Sequence, residues 1–160
     1  METRALTPAE RAALPQGLVA ALPDGIVLVN AHHPLSHLSR IFRGFAVILV
    51  RHKTIYWPGL IGDMSSDPAH LSLLAHELMH VLQYQAGMTV WRYVLRDVIG
   101  NLGGYTYKLE TGKPFDAYAY EQQAAMVEDW VLLSNGLPQR YGAFGTTRKA
   151  LAEFVPVLNL

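Results

Sequence analysis

The sequence predicts an α+β fold in which a small mixed or antiparallel sheet packs against a histidine-bearing helix and a second helix rich in carboxylates. Three observations carry that expectation. β-rich stretches come first and helical stretches follow, the order of an α+β chain rather than an alternating one. The helical part opens on "LLAHELMHVLQYQAG", with two histidines four residues apart and a glutamate just after the first. Finally, 160 residues at 51% hydrophobic composition are enough to bury one core. Residues 1–160 therefore read as a single domain, with 138–160 as a C-terminal extension.

The elements follow in order. "LTPAERAAL" reads as a short helix, with Thr7 as N-cap, Pro8 at the first helical position and Glu10 closing a capping box. "GIVLVN" and "FAVILVRHKTIYWPG" are β-rich, and "RHKT" turns between two strands of the second stretch. "AHHPLSHLSRIFRG" between them reads as a loop or irregular helix. The next helix runs over residues 68–86, capped by Asp67, opened by Pro68 and ended by Gly87. In "TVWRYVLRDVIG", Val90, Trp91, Val94, Leu95, Val98 and Ile99 share one helical face, which is expected to pack on the sheet, a membrane-surface or partner-docking role being the alternative. After a glycine-punctuated connection, Asp116 is expected to cap a helix over 116–133, stopped at Gly136 in the left-handed conformation. A last helix falls near residues 149–154.

Charge and composition exclude several functions. Lys plus Arg equal Asp plus Glu at 13 each, so there is no basic excess of the kind that marks nucleic-acid binders. With no cysteine, thiol catalysis and thiolate-bound zinc are out, and a metal must be held by His, Asp and Glu. No apolar run reaches the roughly 18 residues of a membrane span. The N-terminus mixes acids, bases and prolines, a poor signal peptide. The expectation is a protein made in the cytoplasm, with signal-free export left open.

On the helix over 68–86, Leu71, Leu74, Ala75, Leu78 and Leu82 form a core stripe. His76 and His80 lie almost opposite it, one turn apart. Two imidazoles so spaced reach one Zn²⁺ at about 2.0–2.1 Å, and Glu77 beside them can take a proton from water. This is the HExxH pattern. A catalytic zinc needs a third protein ligand and an open position. Glu121 in "YAYEQQAAMVEDW" is the first candidate, because it borders an apolar stripe of Tyr120, Ala124, Val127 and Val131; Glu128, Asp129 and Glu110 follow.

From "ALTPAE" through "HELMHVLQ" and "YKLETGKPFDAYAYEQQA" to "VLL", roughly residues 5–133, the chain resembles the Vgr-related zinc metallopeptidases. These are similar to the metallopeptidase-like domain of extracellular contractile injection systems. The resemblance implies a zincin-like fold with His76, His80 and Glu121 as zinc ligands and Glu77 as catalytic base. One position departs from the glutamate-zincin pattern: four residues after the ligand, where an acid commonly orients the first histidine, stands Ala125. Glu128 or a backbone carbonyl must then take that role.

Other residues have weaker claims. Tyr118, one turn before Glu121, is the first candidate for an oxyanion donor, ahead of Tyr120, Tyr107 and His52. His32, His33 and His37 could hold a second metal or line a cleft. "TIYWPG" is a candidate edge strand for pairing with an extended peptide. The function expected is zinc-dependent hydrolysis of a peptide or protein substrate, with Glu77 as general base. The alternative is a zinc-binding module without turnover, serving assembly or delivery in a contractile secretion apparatus.

Overall fold

A computed structural model describes residues 2–33 and 48–159. His37 and most of the "HHPLSH" segment lie outside those residues. β1 (Thr3–Arg4) leads into α1 (Pro8–Ala13), where Thr7 and Glu10 make the expected reciprocal capping box. The buried Glu10 carboxylate also takes both guanidinium nitrogens of Arg4, at 2.8 and 2.7 Å, and the Met64 amide. This one side chain ties the first helix to the segment that enters the histidine helix. α2 (Gln16–Ala21) follows.

The sheet is mixed. β2 (Val27–Val29) lies between β1, antiparallel to it, and β4 (Thr54–Tyr56), parallel to it; β3 (Leu49–Arg51) closes the order β1-β2-β4-β3. β3 and β4 form a hairpin turning at His52, whose φ of 55° is a left-handed conformation uncommon outside glycine. β4, which carries "TIY", is an interior strand flanked by β2 and β3. The expectation that it offers a free edge is therefore corrected: among the described residues, the edges are β1 and β3.

α3 (Pro68–Gln85) is capped by Asp67, which accepts from the Ala69 and His70 amides, and the chain leaves it through Gly87 at φ 93°. Leu71, Leu74, Ala75 and Leu78 are buried as its stripe predicts. α4 (Val90–Tyr93) continues into a π-helical turn (Val94–Ile99). Together these form a strap over residues 90–99. Its apolar stripe does not pack on the sheet: Val90, Trp91, Leu95, Val98 and Ile99 are exposed, Trp91 at 75%.

α5 (Tyr120–Ser134) runs beside α3 with Ala124, Val127 and Val131 buried. Asp116 does not cap it. Asp116 sits in a separate 3₁₀ turn (Phe115–Ala117), and the cap arrives from the strap instead. α6 (Arg148–Phe154) and a final turn (Pro156–Leu158) bring Leu151, Val155 and Leu158 into the same core as Leu18 and Leu28. The tail after residue 138 thus packs into the core rather than trailing from it. Among the described residues, no helix is long and apolar enough to cross a membrane.

Candidate metal centre

His76 and His80 project from the side of α3 that faces α5, and Glu121 meets them from the first turn of α5. Glu121 Oε2 lies 3.1 Å from His76 Nε2 and 3.3 Å from His80 Nε2. Among the described residues, these three form the group of His, Asp and Glu whose ligand atoms all lie within 4.8 Å of one another, and all three are buried. A tetrahedral zinc with bonds of about 2.0–2.1 Å spaces its ligand atoms about 3.3–3.4 Å apart, so the spacing fits.

A hydrogen bond on the far side of the His80 imidazole fixes which of its nitrogens faces inward, and a carboxylate stands on the far side of His76. His80 Nδ1 lies 2.7 Å from Gln83 Oε1, an atom that can only accept, so Nδ1 carries the proton. The Gln83 amide is in turn anchored through its Nε2 to the Tyr120 carbonyl and Gln123 Oε1. His76 Nδ1 lies 2.9 Å from Glu128 Oε2; the angle falls short of a good hydrogen bond, but neither buried atom has another hydrogen-bond partner. Glu128 Oε1 is held at 2.6 Å by Arg140. Glu128, one turn beyond Ala125 along α5, is thus the carboxylate that stands beside the outer nitrogen of His76.

With both Nδ1 atoms turned outward, two Nε2 lone pairs and a carboxylate oxygen converge on one point. Such a cluster needs a positive charge among them, either a proton or a cation. The electrostatics of the protein without metal express this. Burial alone would discharge His76, but the Glu121 and Glu128 carboxylates overcome it and raise its pKa to about 10. Burial likewise opposes charge on His80, and Glu121 reverses the shift to an increase. Burial would raise Glu121, but the charge on His80 and hydrogen bonds from both histidines hold it well below the ordinary carboxylate range. Two histidines and one carboxylate are a donor set suited to Zn²⁺.

Glu77 is buried beside the pair. Its pKa is raised, chiefly by burial, with His76 and His80 partly offsetting the rise. A carboxyl with a raised pKa is a better proton acceptor than an ordinary one.

The other expected residues fall elsewhere. The Tyr118 hydroxyl donates to the Lys108 carbonyl at 2.8 Å and accepts from the Glu110 amide at 2.9 Å, and its ring meets Phe154. Those bonds commit it to the 108–118 connection, so it is not the donor beside the cluster. It lines an open cleft of about 500 Å³ with Thr106, Arg140 and Tyr141, a cleft that His76, His80 and Glu121 do not line. Tyr107 and Asp129 brace the turn at 140–142, and Glu110 pairs with Lys113 at the surface. His33 packs on Tyr56, His32 is exposed, and His52 sits near Tyr84 at the hairpin tip.

The tyrosines that do reach the cluster are Tyr93, whose hydroxyl donates to Glu121 Oε1 at 2.7 Å, and Tyr105, whose ring lies 5.8 Å from that of His76. Neither was legible, because both arrive through tertiary contacts from connecting segments. Gln83 did leave a signal: it follows His80 by three residues, the spacing that puts two side chains on one helical face.

No protein-family model matches the chain, and no curated protein does. Among solved structures, the effector domain of Pseudomonas aeruginosa VgrG2b superposes with a TM-score of 0.67 at 24% identity, over 96% of this chain and 83% of that one. The likeness establishes a shared fold.

Proposed function

We propose that this chain is a single-domain, zincin-like zinc metallopeptidase of the Vgr-related type. Its ligands are His76, His80 and Glu121, and its general base is Glu77. The observation that carries the reading is the convergence of three buried donor atoms from two helices, with Gln83 bracing His80 and the Glu128 carboxylate beside the outer nitrogen of His76. Zinc bound there supplies Lewis acidity, polarising a carbonyl and acidifying water.

The chain's own residues supply the rest. Glu77, adjacent in sequence to His76 and raised in pKa, accepts the proton as water oxygen bonds to the peptide carbonyl carbon. As the C–N bond breaks, the same carboxyl delivers that proton to the departing amine. Glu128 and Gln83 keep the imidazoles from rotating, so the ligand atoms stay in place through the cycle.

The solved neighbour is an effector domain, which supports reading this chain as an effector too; its association with a contractile secretion apparatus is part of the proposal. A second reading is favoured by the burial of His76, Glu77, His80 and Glu121 alike: zinc held for folding or assembly without turnover. Glu77→Gln separates the two. The amide keeps the shape but cannot accept the proton, so zinc content is expected to persist while cleavage of a peptide library disappears. Wild-type turnover by Glu77→Gln would remove Glu77 from the mechanism; no cleavage by wild-type, zinc-loaded protein would favour the assembly reading.

A further inference from the structure

We infer that the strap over residues 90–99 positions Glu121 for the cation, Tyr93 holding its side chain and Asp97 its backbone; the inference rests on the zinc reading above. The two carboxylate oxygens of Glu121 are in different surroundings. Oε2 faces both imidazole Nε2 atoms, whereas Oε1 accepts the Tyr93 hydroxyl at 2.7 Å. A phenol has one proton to give. Spent on Oε1, it draws electron density from that oxygen and stops the carboxylate from rotating, so that Oε2 alone is presented to the histidines.

Asp97 acts on the other end of the same residue. It is fully buried, and its Oδ1 and Oδ2 accept the amides of Glu121 at 2.8 Å and Tyr120 at 3.1 Å. Ala119 at the N-cap of α5 has no side-chain acceptor, and the helix's own Gln122 reaches back only to the Ala119 amide, at 3.1 Å. The Asp97 carboxylate therefore caps α5 from outside and fixes the turn from which Glu121 projects. The strap's inward bonds are polar: beyond Tyr93 and Asp97, Arg96 donates to the Asp116 and Tyr118 carbonyls, next to the same helix start. Apart from the half-buried Val94, its aliphatic residues and Trp91 are exposed. A segment whose inward contacts gather around Glu121 is built to place Glu121.

Zinc titration of the metal-free full chain against a chromophoric chelator tests this, together with the visible spectrum of the Co²⁺-loaded protein. Tyr93→Phe removes one oxygen and keeps the ring. It is expected to weaken zinc binding about 10–100-fold and to change the cobalt bands, because the freed carboxylate rotates. In a Glu121→Ala background the same substitution is expected to cost nothing further, since there is no carboxylate left to hold. Asp97→Asn is the second variant, should Tyr93→Phe fail to fold: it replaces one accepting oxygen with a donor and is expected to weaken zinc with the same dependence on Glu121. Unchanged affinity and cobalt spectrum would overturn the inference and leave the zinc reading standing. An equal loss with and without Glu121 would also overturn it, marking the strap as a general structural element. If the wild-type chain binds no zinc, both fall together.

Discussion

α3 and the strap that follows it are both helical segments with an apolar stripe at helical spacing, and they use that stripe in opposite ways. In α3 the stripe of Leu71, Leu74, Ala75 and Leu78 is buried, and His76, Glu77 and His80 on the other side are buried as well. In the strap the stripe of Val90, Trp91, Leu95, Val98 and Ile99 faces outward, while Tyr93 and Asp97 turn inward. Periodicity finds a face but does not say which way it points. A polar residue with a strong tertiary partner can decide that, as Asp97 does with two amides at a helix start and Tyr93 with a carboxylate oxygen.

The largest effect expected from breaking this contrast lies in the core of α3. Leu74 is fully buried there, so Leu74→Ala is expected to cost about 2–5 kcal/mol of unfolding free energy, the usual range for a leucine cavity. Leu95→Ala, on the exposed stripe of the strap, is expected to stay within about 0.5 kcal/mol of wild type. Urea denaturation of both variants provides the comparison. A large loss at Leu95 would mean the strap's stripe is covered in solution.

Next come the groups that hold the imidazoles. Glu128→Ala is expected to weaken zinc about 10–100-fold by freeing the ring of His76, whereas Glu110→Ala, at the surface, leaves affinity unchanged. Competitive zinc titration ranks them, and a Glu110 effect equal to that of Glu128 would contradict the role given to Glu128.

A smaller effect concerns protons. In the metal-free protein the His76 pKa is raised to about 10, above its ordinary 6.5. By linkage, the charged imidazole adds stability that is fully present below about pH 6.5 and is lost as pH rises through about 10. At neutral pH a cation must therefore displace a proton from the cluster. Zinc binding is expected to release roughly one proton or more, and to weaken as pH falls. Calorimetry in two buffers of different ionisation enthalpy counts the protons; none released at pH 7 would contradict the raised His76.

What could be read from the sequence was what local physics fixes. The α1 capping box, the Asp67 cap, the Gly87 exit and the one-turn pairing of His76 with His80 depend on residues within a few positions of each other. Glu121 borders a core stripe, which makes it the first candidate for the third position, and it does meet both histidines. The misreadings all involve distant partners. Asp116 has the composition of a cap, but Asp97 reaches the helix start first. Tyr118 has the right spacing from Glu121, yet its hydroxyl is taken by Lys108 and Glu110, and the tyrosine beside the carboxylate comes from the strap. β4 became interior because β2 pairs with it in parallel, a contact between strands separated by more than twenty residues.

If His76, His80 and Glu121 are the ligands, each chain carries one zinc ion. Elemental analysis of protein purified without chelators tests it most directly, run beside His76→Ala/His80→Ala and Glu121→Ala. About one zinc per wild-type chain, none in the double variant and a strongly reduced amount in Glu121→Ala is the expected result. Equal zinc in all three samples would contradict it.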